Sequence, residues 1–168
     1  MNEDVIICVV DDDDRVRIAL ARLLKSEGYA TRTFPSGLAL LAEAWPFDGT
    51  ARVVLTDLRM PGIDGIALAR RLGASPVPPP IIFLTAHGDE TAAAIAMQDG
   101  AVDFLEKPVQ DADLFKAVAR AAAQSREQIA GLRSPDKCEN GTGNSDHATA
   151  KGSAYFPGDD EPRNLPRR

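Results

Sequence analysis

Five aspartates, two threonines and a lysine follow closely on short apolar runs of this chain. Asp11-Asp12-Asp13-Asp14 follows Val5 to Val10, Thr56-Asp57 follows Val53 to Leu55, Thr85 follows Ile81 to Leu84, and Lys107 in Glu106-Lys107-Pro108 follows Val102 to Leu105. If the runs are parallel strands of one open α/β sheet, the residues at their carboxyl ends share the edge where such sheets bind ligands. Bringing Asp11, Asp12 and Asp57 within ~4 Å of one another costs about 4 kcal/mol per pair at an effective dielectric near 20, so the cluster requires a cation. Oxygen ligands alone, at an open site with room for water, suit Mg²⁺ better than zinc or copper. Lys107 adds a positive charge opposite the acids and Thr85 a hydroxyl, and metal, lysine and hydroxyl together are groups suited to holding a phosphoryl group. One carboxylate could then act as nucleophile and form an acyl phosphate.

Each signal has an ordinary reading as well. Four consecutive aspartates are often a solvated loop with a helix cap. A Lys-Pro after a strand is usually a loop, and a strand-end threonine is usually satisfied by backbone. Their joint position after four different strands is what favours chemistry.

Positioning these groups requires a regular scaffold, and the sequence carries one. Val5 to Val10, Val53 to Leu55 and Ile81 to Leu84 are too short for helices and continuously apolar, as strands covered on both faces must be. Ala30 to Phe34 alternates like an edge strand, and Val102 to Leu105 is a fifth candidate. Val16, Leu20, Leu23, Leu24 and Glu27 follow helical spacing, with Gly28 placed as a left-handed cap. Ser36 to Ala44, Asp64 to Leu72, Asp89 to Asp99 and Asp111 to about Leu132 predict four more helices, opened by Ser or Asp caps, two of them closed by Gly73 and Gly100. Five βα units predict an α/β fold, a doubly wound parallel sheet with helices on both faces.

Four stretches now resemble a known family. Val9-Val10-Asp11-Asp12-Asp13, Leu55-Thr56-Asp57-Leu58-Arg59-Met60-Pro61-Gly62 with Asp64-Gly65, Leu84-Thr85-Ala86-His87-Gly88-Asp89, and Gly100-Ala101-Val102-Asp103-Phe104-Leu105-Glu106-Lys107-Pro108 resemble the receiver domain of two-component response regulators, closest in wording to the FixJ-like (nitrogen-fixation type) subgroup. The resemblance runs from about residue 4 to 125. It implies a (βα)5 flavodoxin-like, CheY-like sheet of strand order 2-1-3-4-5. It also implies that Asp57 is the phosphoacceptor and that Asp11, Asp12, Asp57 and the backbone carbonyl of Arg59 hold Mg²⁺. Thr85 and Lys107 would contact the phosphoryl oxygens, and Phe104 would be the aromatic that turns inward when Thr85 moves, although a plain core aromatic is the competing reading. Lys107-Pro108 is cis in the family. Arg59 and His87, two residues after the phosphoacceptor and the hydroxyl, border the entrance as candidates for tuning phosphoryl loss to water, with a surface cation and a solvated imidazole as the alternative.

Composition limits the rest. The 168 residues carry 19 Lys plus Arg against 25 Asp plus Glu, a net charge of −6 that repels nucleic acid and anionic membranes. The longest apolar runs are far short of the ~20 residues of a membrane span, and the acidic start lacks a signal peptide's basic region. Cytoplasmic location is therefore expected, with Cys8 and Cys138 as free thiols. Residues 1–133 form the expected receiver domain. Ser134 to Arg168, with six acids, five bases and few large apolar side chains, is expected to be a disordered polar tail.

The expected function is a receiver that accepts a phosphoryl group from a sensor histidine kinase or histidine phosphotransfer protein. Output would pass to a downstream protein through the face formed by Asp89 to Asp99 and Asp103 to Gln124, with homodimerisation possible there and no DNA or membrane partner. This is a switch that catalyses its own modification rather than a turnover enzyme. The alternatives are a shortened form of a FixJ-like transcriptional regulator and an aspartate-nucleophile phosphohydrolase. The latter needs a second acid two residues after the nucleophile, where Arg59 stands.

Overall fold

The computed structural model describes residues 2–43, 49–86, 89–98 and 100–133. All of them lie in the first of two units into which the chain divides, Met1–Pro135. The expected tail from Ser134, with Cys138, and the entrance candidate His87 lie outside the described residues.

Strands β1 (Asn2–Val10), β2 (Tyr29–Phe34), β3 (Ala51–Asp57), β4 (Ile81–Thr85) and β5 (Asp103–Glu106) alternate with helices α1 (Asp14–Ser26), α2 (Gly37–Ala42), α3 (Gly65–Gly73), α4 (Glu90–Gln98) and α5 (Asp111–Arg133). All pairings are parallel and the sheet order is β2-β1-β3-β4-β5, the doubly wound arrangement expected. The period of two along β1 sends alternate side chains to opposite faces. Val5, Ile7 and Val9 join Leu20 and Leu24 of α1 and Leu114, Val118 and Ala122 of α5 in one core. Cys8 and Val10 join Leu40 of α2 and Leu68 and Leu72 of α3 in the other. Because both faces are covered, the buried polar side chains of the sheet, Asp11, Thr56, Asp57 and Thr85, gather at the ends of β1, β3 and β4.

Local chemistry accounts for most boundaries. The Asp13 carboxylate accepts from the Arg15 amide at 2.8 Å and caps α1, Ser36 caps α2 and Asp64 caps α3. Gly28 and Gly100 take positive φ, as helix-ending glycines do. Gly73 does not. It is the last residue of α3, and Ala74 in right-handed conformation ends the helix, so the expected glycine cap is corrected by one position. β1 begins earlier than its apolar run, because the polar Asn2 and Asp4 are held by Arg126 of α5, whose Nε and Nη2 each reach an Asp4 oxygen at 2.7 Å.

The start of β3 shows a substitution of side chain for strand. Pro78-Pro79-Pro80 precedes β4, and proline offers no amide to a ladder. Pro80 accepts from the Val54 amide at 2.9 Å. At Arg52 the Ser125 hydroxyl takes over, accepting from the amide and donating to the carbonyl, each at 2.9 Å.

Candidate functional site

The four aspartates after β1 divide their work. Asp13 caps α1, and Asp14 in the first turn pairs with Arg17. Asp11 is buried at 1% exposure, its Oδ1 accepting from the Asp13 amide at 2.8 Å, while Asp12 is exposed. Arg17 Nη1 donates to the Asp11 carbonyl at 2.7 Å and fixes the turn. The role of Arg17 was not legible in the sequence, where it is one of several surface arginines on α1.

Asp57 ends β3 and is 9% exposed. One oxygen from each of Asp11, Asp12 and Asp57 lies within 4.8 Å of the others. Lys107 reaches into this group from beyond β5, with Nζ 2.9 Å from Asp11 Oδ2 and 3.1 Å from Asp57 Oδ1. Its approach follows from the end of β4, since the Lys107 amide donates to the Thr85 carbonyl at 2.8 Å, and the Lys107–Pro108 bond is cis. Thr85 is buried as the last residue of β4. The expected acids, hydroxyl and amine therefore share one edge.

The electrostatics fit a cation. Burial pushes the Asp57 carboxyl above its ordinary pKa, and the charge and hydrogen bond of Lys107 offset this only in part. Burial also works against the Lys107 ammonium, but the hydrogen bond and charge of Asp11, then those of Asp57, outweigh it and hold its pKa above the ordinary value. Three carboxylates against one ammonium leave the group net negative. Asp11, Asp12 and Asp57 offer oxygen ligands alone, the donor set that suits Mg²⁺, and the ion would supply the positive charge the group lacks.

Backbone packing places Asp57. Gly65 opens α3 against the end of β3, its amide donating to the Leu58 carbonyl at 2.9 Å. A Cβ on Gly65 would stand 2.6 Å from the Asp57 carbonyl oxygen and 3.1 Å from Phe83. Phe83 in turn stacks on Phe104 of β5, ring centroids 5.3 Å apart, and Phe104 is half-buried.

Arg59 and Asp89 form a contact that sequence reasoning missed. Asp89 precedes α4 and was expected as its cap. Its Oδ1 accepts from Arg59 Nε at 2.8 Å and from Nη2, while among the described residues Oδ2 is buried without a hydrogen-bond partner. The hydrogen bond from Arg59 lowers the Asp89 pKa, and that from Asp89 raises Arg59's. Asp89 is thus interior, 6% exposed, and is not part of the outer α4 face to which it was assigned. Asp99 lies outside the described residues.

Comparison with known proteins places this arrangement among similar ones. Residues 7–119 match the family model described as response regulator receiver domain. The chain is 43% identical over 128 residues to the transcriptional regulatory protein FixJ of Azorhizobium caulinodans, which covers 76% of this chain and 60% of that protein. It is 41% identical over 123 residues to the DNA-binding transcriptional regulator NtrC of Escherichia coli, covering 73% of this chain and 26% of that one. Among solved structures, the crystal structure of FixJ-N aligns with TM-score 0.66 at 41% identity, over 71% of this chain and 94% of that one. The response regulator StyR aligns with TM-score 0.70 at 36% identity, over 76% and 64%. The chain spans 57–60% of the length of the FixJ relatives it matches.

Proposed function

Because the chain belongs to the response regulator receiver family, we propose that it takes a phosphoryl group from the phosphohistidine of a sensor kinase or phosphotransfer protein onto Asp57. The observation that carries this reading is Lys107 bridging Asp11 and Asp57 at 2.9 and 3.1 Å, a charge cradle built around one carboxylate. Asp11, Asp12, Asp57 and the Arg59 carbonyl would hold Mg²⁺, which supplies charge neutralisation for the carboxylates and the incoming phosphoryl oxygens. An Asp57 oxygen attacks phosphorus. The new O–P bond forms as the N–P bond breaks, and its electron pair stays on the imidazole nitrogen. Lys107 and the Thr85 hydroxyl bind the phosphoryl oxygens, and Thr85, once drawn toward them, vacates space into which Phe104 turns. Arg59 and His87, two residues after Asp57 and Thr85 in the sequence, are proposed to tune loss of the phosphoryl group to water.

Two grooves support the partner assignments. One of about 540 Å³ runs beside Lys107 between α1 and the loop after β5, lined by Val16, Leu20, Leu23, Pro108 and Val109, and suits a phosphodonor. Another of about 690 Å³ lies between β5 and α5, where Phe104, Glu106, Lys116 and Arg120 offer a downstream protein, or a second copy, a mixed surface. The reading places the chain in the cytoplasm beside its kinase. Among the described residues no helix is long and apolar enough to cross a membrane.

Asp57→Asn is expected to abolish labelling by acetyl phosphate, and retained labelling overturns the assignment. Asp12→Ala is expected to weaken Mg²⁺ binding by about tenfold or more while leaving the fold intact, as loss of a site group does. The hydrolase reading is disfavoured by Arg59 at the position that needs an acid. The alternative of a shortened FixJ-like transcriptional regulator rests on the match to 57–60% of the length of the FixJ relatives. Ser134 to Arg168, with five bases to six acids, is proposed to add no DNA affinity, and retention on DNA at physiological salt would decide for the transcriptional reading.

A further inference from the structure

We propose that Asp89 is a positioning residue for Arg59, holding its guanidinium against the start of α4 until a phosphoryl group on Asp57 competes for it; this rests on the phosphoacceptor reading. The Asp89 side chain is 4% exposed, whereas that of Arg59 is 75% exposed, so the pair joins a buried acid to a base reaching in from solvent. Arg59 Nε and Nη2 converge on a single oxygen, Oδ1, and among the described residues Oδ2 is buried with no hydrogen-bond partner, so Arg59 is the cation that neutralises this carboxylate. A buried charge that loses its partner is costly, so Asp89 cannot stay in place if Arg59 leaves.

Arg59 lies two residues beyond Asp57. Phosphorylation turns the Asp57 carboxylate, charge −1, into an acyl phosphate of charge up to −2 with three exposed acceptor oxygens, beside Asp11, Asp12 and Lys107. The Arg59 guanidinium, most of it in solvent, is free to turn toward those charges. Asp89, left unpaired, then turns to water and carries the first turn of α4 with it. Phosphoryl binding is thereby opposed by the Arg59–Asp89 bond, and the opposition is converted into movement of α4. This route is separate from the Thr85 and Phe104 movement.

The test is a double-mutant cycle read by beryllofluoride affinity in the presence of Mg²⁺, with Asp89→Asn as the shape-conserving variant and melting temperature as the check on folding. Asp89→Asn is expected to tighten beryllofluoride about fivefold, the factor equivalent to a partly exposed charged hydrogen bond. In an Arg59→Ala background the same substitution is expected to change nothing. Amide signals of Thr91 and Ala92 should shift on beryllofluoride binding in the parent and far less in Asp89→Asn. Unchanged affinity in Asp89→Asn, or equal tightening in both backgrounds, overturns the proposal while leaving the phosphoacceptor reading intact. Failure of the parent to bind beryllofluoride, or equal binding by Asp57→Asn, overturns both.

Discussion

Ser125 stands in for a neighbouring strand at Arg52, its hydroxyl accepting from the amide and donating to the carbonyl across 73 positions of sequence. Removing it deletes two hydrogen bonds at a buried position. Ser125→Ala is expected to lower stability by about 1–3 kcal/mol. Arg52 lies five residues before Asp57 on the same strand, roughly 17 Å away, so Mg²⁺ affinity is expected to be unchanged. Urea unfolding at constant m-value, alongside Mg²⁺ titration, checks both halves.

Gly65→Ala places a methyl 2.6 Å from the Asp57 carbonyl oxygen, with Leu58 and Phe83 at 3.1 Å closing the other sides. Two of these neighbours are backbone, so α3 must retreat from β3. A cost of about 1–3 kcal/mol is expected from overpacking, together with slower labelling at Asp57. Labelling at the parent rate would show that the end of β3 tolerates the shift.

Lys107→Ala removes the ammonium from between Asp11 and Asp57 and leaves Asp11, 1% exposed, without it. Loss of one partner of such a pair is expected to cost about 3 kcal/mol without metal. Saturating Mg²⁺ is expected to restore more stability to this variant than it adds to the parent. Beryllofluoride should no longer shift the Phe104 signals fully. An equal metal effect in the two proteins would contradict the cradle.

The Cys8 thiol is pushed up to about 11 by burial, against the opposing charges of Arg52 and Arg32. The native state therefore keeps its proton over a window in which the unfolded thiol, near 8.5, has lost it. In that window the unfolded state binds fewer protons, so stability is full below about pH 8.5 and falls by about 1.4 kcal/mol per pH unit above it. Unfolding series at about pH 8 and 10 should show the slope in the parent and not in Cys8→Ala, and Cys8 should resist alkylation in the folded chain at the lower pH.

What was legible in the sequence depended on the range of the interaction. Val5 to Val10 and Ile81 to Leu84 announced central strands because burial on both faces leaves a continuous apolar run. Asp13, Ser36 and Asp64 announced helix starts because a cap acts within three residues. The convergence of Asp11, Asp57 and Lys107 on one edge followed from topology, since every strand of a parallel sheet ends on the same side. Contacts made by ordinary residue types across the fold carried no such signature. Asp89 reads as a helix cap until Arg59, 30 positions away, is seen to hold it. Ser125 reads as a polar residue on α5 until the prolines before β4 are seen to leave a gap in the ladder at Arg52.

The bond between Lys107 and Asp11 joins positions 96 apart. During synthesis Asp11 leaves the ribosome well before its counter-charge, which follows the last strand of the sheet. A nascent chain that has released Asp11 but not Lys107 lacks this bridge. On the phosphoacceptor reading the charge cradle around Asp57 is therefore complete only once β5 and Lys107 have emerged.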